Sequence, residues 1–394
     1  MNIVFFDYNR TQFLPLTYTK PIAKLRFGIL TMEEKWRMYF EKNHQPINTS
    51  YLTEDYLAKK FPFKEAEESY FINARYCPND FLVEFILEHL ISNEAIYDGD
   101  ELLVARSSTQ EFKDAQFHIK DYNERFTELK LENITDLFAK NDQAIQSDFD
   151  FLTKGRTSHP LSSTNTLIGE RIFIEEGAKV EAAILNSTTG PIYLGKDAEI
   201  MEGSVVRGPL AMCEGSVLKM AAKIYGATTI GPYCKVGGEV NNSVLQGYSN
   251  KGHDGFLGNS VIGEWCNLGA DTNTSNLKNN YAQVKLWSYE KEKFENTGLQ
   301  FCGLIMGDHS KCGINTMFNT GTVVGVSANI YGSGFPRNFI PSYTWGGASG
   351  VITYKLNKVF EVAEIVMDRR KQTLTTEDRE ILTAVFDQTT KYRK

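Results

Sequence analysis

Apolar residues recur every six positions through the middle of the chain. The longest block has eight members: Leu194, Ile200, Val206, Met212, Leu218, Ile224, Ile230 and Val236. A helix repeats its apolar face every 3.6 residues and a strand alternates at two, so neither favours every sixth position. A coil of short flat strands, each with one inward residue, does favour it. The pattern predicts a left-handed parallel β-helix with three hexads per coil, and a wide β-sandwich is the alternative.

The six-residue repeat resumes in two later blocks. These comprise Phe256, Ile262 and Leu268, and then Met306, Cys312, Phe318, Val324 and Ile330. The charged stretch 287–297 interrupts the repeat, and we expect it to loop out. Residues 166–350 are therefore predicted to form a solenoid of about ten coils, at roughly 18 residues each.

Glycine usage marks the domain boundaries. Residues 1–150 contain only Gly28 and Gly99, and the other glycines lie between residues 155 and 350. The N-terminal part alternates apolar runs with helix-like stretches, such as a strand at Ile3–Phe6 and a helix at Phe81–Leu90. We predict an α/β domain over 1–150, a linker over 151–165 and a C-terminal helical segment over 351–394. Its helices are expected near 354–372 and 375–388.

Bulk properties narrow the class of protein. The net charge is −7 without a long basic run, which argues against a nucleic-acid partner. An apolar stretch of membrane-spanning length and a signal peptide are both missing, so no membrane partner is expected. The six cysteines are scattered and form no CxxC pair, as in a cytoplasmic protein with reduced, buried thiols.

Two polar segments break the apolar rhythm of the solenoid. Residues 248–260 carry His253 between Gly252 and Gly255, and residues 271–280 are rich in Asn and Thr. Their separation is close to one coil, so the segments are expected to stack side by side as a polar patch. The alternative is an asparagine ladder that satisfies backbone carbonyls at the corners.

These segments carry a resemblance. Ser249–Ser260 and Asn267–Asn276 resemble the acetyltransferase half of the bacterial bifunctional N-acetylglucosamine-1-phosphate uridyltransferase/glucosamine-1-phosphate N-acetyltransferase family. The resemblance implies a homotrimer with active sites between subunits, acetyl-CoA as donor and an amino sugar 1-phosphate as acceptor. It also implies a place in UDP-N-acetylglucosamine biosynthesis.

Carried over residue by residue, the resemblance gives His253 the role of general base. A histidine suits this role because its ordinary pKa lies near 6.5. Glu239 would orient it. Asn267 and Asn276 would contact the sugar or the thioester carbonyl, and Lys223 would take the place of a phosphate-binding arginine.

The chain departs from the family where phosphate is bound. Phe256 replaces a tyrosine, Asn241 replaces a lysine, and Ala282 falls where a second lysine is expected. Lys278 lies close to that position, and Lys251 precedes His253 by two residues. We expect these two lysines to compensate in substrate binding.

Asp308 and His309 form a second polar cluster in the solenoid. Substrate binding is one interpretation, and a hydrogen-bonded corner is the other. His253 and His309 are the only histidines within the predicted coils, so a histidine metal site is not expected there.

The N-terminal segment Phe13–Pro21 resembles the start of sugar-1-phosphate nucleotidyltransferases. Those enzymes place a glycine-rich phosphate loop before it, but here the loop Asp7–Gln12 has no glycine, and Ile22 replaces the catalytic lysine. The cations left to bind a nucleotide are predicted to be Arg10, Lys20, Lys24 and Arg26.

The family's Gly-Asp metal ligand is replaced by Asn73-Ala74-Arg75. Asp98 and Asp100 form a weak candidate site for Mg²⁺, and a plain turn is the alternative. A degenerate domain that binds a sugar nucleotide, or only packs on the solenoid, is the alternative to catalysis.

The sequence thus favours a sugar-nucleotide enzyme that acetylates an amino sugar phosphate and also transfers a nucleotidyl group. Two alternatives stay open. One is a nucleotidyltransferase whose solenoid only oligomerises or regulates. The other is a non-catalytic scaffold that binds a sugar nucleotide.

Overall fold

The computed structural model describes residues 1–43, 45–122 and 129–393. The first half contains eight strands: β1 (Asn2–Phe6), β2 (Arg26–Phe27), β3 (Leu30–Thr31), β4 (Asn48–Leu52), β5 (Ser69–Asn73), β6 (Glu94–Asp98), β7 (Glu101–Ser107) and β8 (His118–Ile119). Its helices are α1 (Met32–Lys42), α2 (Asp55–Ala58), α3 (Asp80–His89), α4 (Thr109–Asp114), α5 (Asp136–Ala139) and α6 (Asn141–Thr153). The predicted first strand and the helix near residues 81–90 are both present.

Six of these strands form a mixed sheet in the order β4-β1-β5-β7-β6-β8. Strand β1 runs parallel to β4 and β5, and β7 is antiparallel to β5. Ile3, Val4 and Phe5 are all buried, as expected of a central parallel strand covered on both sides. Helix α1 is capped by the preceding residue, Thr31, whose side chain accepts from the Glu34 amide in a capping box.

The second half contains strands β9 to β37. Their bounds are β9 (Thr166–Ile168), β10 (Ile172–Ile174), β11 (Lys179–Val180), β12 (Ile184–Asn186), β13 (Ile192–Leu194), β14 (Glu199–Ile200), β15 (Val205–Arg207), β16 (Leu210–Met212), β17 (Val217–Leu218), β18 (Lys223–Tyr225), β19 (Thr228–Ile230), β20 (Lys235–Val236), β21 (Glu239–Asn241), β22 (Val244–Gly247), β23 (Asn250–Lys251), β24 (Phe256–Gly258), β25 (Val261–Glu264), β26 (Asn267–Leu268), β27 (Asn273–Thr274), β28 (Lys285–Ser288), β29 (Lys293–Asn296), β30 (Leu304–Met306), β31 (Lys311–Cys312), β32 (Met317–Phe318), β33 (Thr322–Val324), β34 (Asn329–Ile330), β35 (Phe339–Ile340), β36 (Thr344–Gly347) and β37 (Gly350–Thr353).

These strands build a parallel β-solenoid of about ten turns with three faces. The first face is β9-β12-β15-β18-β21-β24. The second is β10-β13-β16-β19-β22-β25-β30-β33-β35, and the third runs from β11 through β14, β17, β20, β23, β26, β31 and β34 to β36 and β37. All eight residues of the long six-residue repeat are buried in one core cluster between the faces. The α/β domain, the parallel solenoid and the C-terminal helices are therefore confirmed.

One member of the repeat is placed wrongly by the sequence pattern. Phe256 is partly exposed, and its neighbour Leu257 points into the core instead. The cause is that the inward residues Leu257 and Ile262 are five residues apart, so a count of six back from Ile262 ends one residue early. A separate irregularity lies one coil earlier, where the shortened turn between β20 and β21 holds only Gly237 and Gly238, against four residues, 219–222, in the coil before.

The charged stretch that interrupts the repeat forms an antiparallel hairpin, β28–β29, inserted between β27 and β30. After β37 the chain continues as α7 (Leu356–Asp368) and α8 (Thr376–Gln388), close to the predicted helices. The Tyr343 hydroxyl donates to the Leu382 carbonyl over 2.6 Å, which ties α8 to the last coils. Among the described residues, no helix is both long and apolar enough to span a membrane.

The chain divides into two compact units that interleave in sequence. The N-terminal unit comprises residues 1–10, 20–25 and 30–132, and the solenoid unit comprises 11–19, 26–29 and 133–394. Within the solenoid unit, the Arg26 amide donates to the Gln246 side chain over 2.6 Å, and the Asn141 side chain donates to the Ala227 carbonyl over 3.0 Å. Two short N-terminal segments thus belong to the solenoid unit by their contacts.

Candidate active site

His253 lies at the turn that joins β23 of the third face to β24 of the first face. This turn, Gly252–Gly255, is called the His253 corner below, and the His253 side chain is exposed. The corner packs on the shortened turn of the preceding coil. A Cβ added at Gly238 would lie 2.8 Å from the Asp254 Cα and 2.9 Å from the His253 carbonyl oxygen. Only glycine permits this close stacking, which holds the histidine backbone in place.

Gly255 secures the other side of the corner. Its φ is +111°, and an added Cβ would lie 2.2 Å from the Thr272 carbonyl oxygen. Gly252 differs, because nothing lies within 4 Å of a Cβ built there. The open space around His253 is therefore on the Gly252 side of the corner.

Lys251 points into the solenoid rather than out of it. It pairs with Val236 in the inward row of the third face and is only 2% exposed. Its Nζ donates to the His253 carbonyl over 2.6 Å. Burial lowers the pKa of Lys251 to about 8, against the opposing effect of Asp254 and Asp271. Lys251, which was expected to help bind substrate, thus reaches the His253 corner from within the core.

Glu239 and Lys223 lie side by side on the outer surface of the first face, on paired strands β21 and β18. The Tyr225 hydroxyl donates to the Glu239 carboxylate over 2.6 Å, and this bond raises the pKa of Tyr225 to about 12. Phe256 is the next residue in the same row. Glu239 is thus oriented by a tyrosine that the sequence analysis did not single out. The position of Tyr225 two residues after Lys223, on the same outward side of β18, was the available signal.

The remaining predicted substrate residues lie on other parts of the solenoid. Asn267 is exposed on the third face, next to Asn250 of the preceding coil. The Asn276 side chain donates to the Asn259 side chain over 2.8 Å, and the Lys278 Nζ donates to the Gln283 carbonyl over 2.9 Å. Asn276 thus takes part in the asparagine stacking that was the structural alternative. Within one chain, Lys223 and Glu239 lie on one side of the His253 corner and Asn267 lies on the other.

The second polar cluster serves a corner of the solenoid. The Asp308 carboxylate is 2% exposed and accepts from the Glu264 amide over 2.8 Å and from the Thr19 hydroxyl over 2.5 Å. The His309 ring stacks on Trp265, with ring centroids 6.4 Å apart and planes 13° apart. These contacts support the structural interpretation of Asp308 and His309.

The cations of the predicted nucleotide site are engaged with the protein. Arg10 lies 3.2 Å from the Glu54 carboxylate and donates to the Tyr56 hydroxyl over 3.2 Å. The Lys24 Nζ lies 2.5 Å from the Glu33 carboxylate. Burial alone would lower the pKa of Lys24, but Glu33 outweighs burial and raises it.

Lys20 and Arg26 are both buried, at 4% and 8% exposed. Arg26 belongs to the solenoid unit, where its guanidinium donates to the Ile29 carbonyl. Lys20 belongs to the N-terminal unit. The structure thus provides partners or burial, rather than an open cationic surface, at each of the four positions.

The surroundings of Asp98 do not fit a magnesium ion. Asp98 accepts from the Tyr76 hydroxyl over 2.8 Å and from the Lys130 Nζ over 3.3 Å. Buried Arg75, which stands where the resemblance places a metal ligand, is paired with the Glu101 carboxylate. Among the residues described, no group of three or more metal-binding side chains occurs, and Asp100 is exposed. Cationic side chains already balance the carboxylates that Mg²⁺ would need.

Comparison with known proteins gives a family match for the N-terminal part of the chain. Residues 2–157 match the model of a family described as sugar nucleotidyl transferase. A comparison with curated proteins gives no match.

Three solved structures share parts of the chain at low identity. An Arabidopsis UDP-N-acetylglucosamine acyltransferase is 14% identical, covers 60% of this chain and 99% of its own, and has a TM-score of 0.25. The polySia-specific acetyltransferase NeuO gives 11% identity, 51% and 83% coverage, and a TM-score of 0.24. A mutant of AntD, an N-acyltransferase from Bacillus cereus in complex with dTDP and coenzyme A, is 10% identical, covers 52% of this chain and 91% of its own, and has a TM-score of 0.22. These TM-scores are too low to carry an argument about activity. The family comparison therefore links residues 2–157 to sugar nucleotidyl transferases, and the activity of the solenoid rests on its own geometry.

Proposed function

We propose that the protein is a sugar acetyltransferase whose active site is built around the His253 corner. The observation that carries the proposal is an exposed imidazole on a backbone fixed from three directions. Gly238 packs beneath it, Thr272 lies beside it, and the Lys251 Nζ binds its carbonyl. A general base must be accessible to substrate yet held in one position, and this corner meets both conditions.

In the proposed reaction, the amine of an amino sugar phosphate attacks the thioester carbonyl of acetyl-CoA. His253 accepts the proton that the amine loses and donates it to the departing sulfur, so coenzyme A leaves as the thiol. Lys223, exposed on the first face, supplies a cation for the sugar phosphate. Glu239 contributes negative charge beside it and is held by Tyr225. Asn267 and Asn276 are proposed to contact the sugar or the thioester carbonyl, and Lys278 to assist phosphate binding.

Because these residues flank the corner on different faces of one chain, we propose that a homotrimer completes the site. Each subunit would present its first face to the third face of a neighbour, which would bring Lys223 and Asn267 of different copies to one His253. The match of residues 2–157 supports a sugar nucleotide or sugar phosphate as the class of substrate. Nucleotidyl transfer through Arg10, Lys20, Lys24 and Arg26 is the less supported half of the proposal, because these cations are buried or engaged with the protein.

Replacing His253 tests the proposal. We expect His253→Ala to lower the rate of acetyl transfer by roughly 10²–10⁴-fold while leaving acetyl-CoA binding unchanged, because only proton transfer is lost. Glu239→Gln should cost less, since the base remains. The measurement is thiol release from acetyl-CoA with glucosamine-1-phosphate as acceptor.

His159→Ala is the matched control, because His159 is exposed at the start of the solenoid and away from the corner. It should retain the full rate. If His253→Ala also retained the full rate of acetyl transfer, His253 would not be the base.

Adding UTP and Mg²⁺ to the same assay distinguishes acetyl transfer from the two alternative functions. Pyrophosphate release without thiol release would favour the nucleotidyltransferase with an oligomerising solenoid, and release of neither would favour the binding scaffold.

A further inference from the structure

The inserted hairpin β28–β29 forms one wall of a half-open cavity on the second face of the solenoid. The cavity has a volume of about 220 Å³, enough for roughly seven water molecules at about 30 Å³ each. Its floor includes Ile305 and Val323, which point outward from β30 and β33 and are 0% and 2% exposed. Residues 11–14 and 133–135, which belong to the same unit, form the wall opposite the hairpin.

Two aromatic side chains that line this hairpin cavity hold unpaired polar groups. Among the residues described, neither the Trp287 indole nitrogen nor the Tyr289 hydroxyl has a hydrogen-bond partner, although both atoms are buried. Tyr289 is 7% exposed and meets Tyr18 and Phe339 edge-on. Burial raises the pKa of Tyr289 well above its ordinary range, so its hydroxyl keeps its proton. A buried donor without an acceptor lowers the free energy of unfolding, because it has lost its hydrogen bonds to water. A ligand that accepted hydrogen bonds from these two groups would restore that free energy.

The rim of the cavity is polar. Its polar side chains carry hydroxyl, amide, carboxylate and ammonium groups, among them Asn133, Thr135, Glu290, Lys291 and Glu295. The Gln12 amide donates to Glu290, and the Ile134 amide donates to the Gln12 carbonyl over 3.1 Å, so the two walls are connected. An apolar floor beneath a ring of hydroxyls, amides and carboxylates matches a molecule with an apolar face and hydroxyls around its edge.

The charged side chains of the rim already have partners. The Glu295 carboxylate lies 2.6 Å from the Lys291 Nζ and 3.2 Å from the Lys293 Nζ, and Glu290 accepts from the Gln12 amide. A phosphate group would find no uncommitted cation among the described residues that line the cavity, whereas neutral hydroxyls can share the carboxylate oxygens as acceptors.

We propose that the hairpin cavity binds a hexose ring that carries no phosphate. The Trp287 indole and the Tyr289 hydroxyl donate to ring hydroxyls, and the rim carboxylates accept from them. The site lies on the second face, whereas the proposed acetyl transfer is centred on the corner between the third and first faces. Sugar binding at the hairpin cavity is therefore a function in addition to the proposed reaction.

Fluorine NMR of the full-length protein labelled with 5-fluorotryptophan tests this proposal. The chain has four tryptophans, and the Trp287 resonance is assigned by its absence in Trp287→Phe. Titration with N-acetyl-D-glucosamine to millimolar concentration should move the Trp287 resonance in a saturable manner. No movement, or displacement of the sugar by inorganic phosphate, would overturn the proposal.

Tyr289→Phe provides the matched change, because it removes only the hydroxyl. We expect it to weaken sugar binding about three- to ten-fold, the equivalent of one net hydrogen bond. It should also raise the melting temperature of the sugar-free protein, since a buried unpaired group is removed. Tyr281→Phe, the same change at a 66% exposed tyrosine in the same inserted segment, should alter neither quantity. Unchanged affinity in Tyr289→Phe would contradict the proposal, whatever the outcome of the acetyl-transfer assay.

Discussion

An amine inside an apolar core is costly, and Lys251 is such an amine. Every charged group moved out of water loses hydration, and an apolar side chain of similar size usually serves a core as well or better. The Lys251 Nζ recovers part of this cost by donating to the His253 carbonyl. We interpret the lysine as a residue that positions the corner at the expense of stability.

This interpretation gives a prediction about pH and stability for Lys251→Met. The folded pKa of Lys251 is lowered to about 8 from an ordinary value near 10.5. The unfolded chain therefore binds more protons between these values, and wild-type stability should rise with pH across that window. Below pH 8 the full cost of the buried charge is present. The variant should then be the more stable protein, by about 3 kcal/mol at most.

The measurement is the free energy of unfolding in guanidinium chloride near pH 7 and near pH 10, taken as the difference between variant and wild type. That difference should shrink at the higher pH. Lys196→Met, at an exposed lysine of the same solenoid, should show no such trend. A variant that is less stable than wild type near neutral pH would show that the amine stabilises the fold.

At the scale of single elements, the lengths of the turns determine where the proposed active site lies. The strands of the three faces are short and repeat one another, whereas the turns differ in length. A two-residue turn, Gly237–Gly238, occupies the position in the preceding coil that corresponds to the four-residue His253 corner. The corner can pack on its neighbour only because that neighbour is short and lacks side chains.

The two glycines that flank His253 are therefore expected to respond differently to substitution. Gly255→Ala places a Cβ against the Thr272 carbonyl at a φ that L-residues rarely adopt, so we expect a loss of about 2 kcal/mol or more. Gly252→Ala meets open space and should change stability by less than about 0.5 kcal/mol. Thermal unfolding measures both. Equal effects at the two positions would contradict the geometry of the corner.

The same turns explain what the sequence did and did not reveal. The eight-member hexad predicted the solenoid because each inward residue is selected by burial alone, which leaves a strong periodic signal. The misplacement of Phe256 arose because Leu257 and Ile262 are five residues apart instead of six, and a missing residue changes the phase without changing the composition. Lys251 was read as a surface cation for a related reason. A charged residue in an inward row breaks the rule by which inward rows are recognised, and only its register with Val236 reveals its direction.

At the scale of the whole molecule, the first face of the solenoid is the surface that we propose binds a second copy of the chain. On the outer side of this face, exposed apolar side chains lie on the successive strands β9, β12 and β15: Ile168, Ile184 and Val205, which are 41%, 40% and 46% exposed. A contiguous apolar surface of this kind is typical of protein interfaces. A second copy of the chain is the occupant that the proposed site requires.

We therefore expect light scattering to give about three times 44.6 kDa for the wild-type protein. Val205→Lys should lower the mass towards that of one chain, because a charge replaces an apolar group in the middle of the row. Lys154→Glu, a change at the exposed C-cap residue of α6, outside the first and third faces, tests whether any change of charge has this effect. A monodisperse wild-type monomer would remove the intersubunit site from the proposal.

The interleaving of the two units has a practical consequence for truncation. An expression fragment that begins after residue 132 would lack residues 26–29, so the Gln246 carboxamide, which binds the Arg26 backbone through both its oxygen and its nitrogen, would lose both bonds. The Thr229 hydroxyl would likewise lose the Gly28 carbonyl to which it donates. The part of the second face around Thr229 and Gln246 would then be left with unpaired polar groups and open to solvent. Low solubility or aggregation of such a fragment would therefore be explained by the loss of residues 11–19 and 26–29. It would not show that the coils are unable to fold.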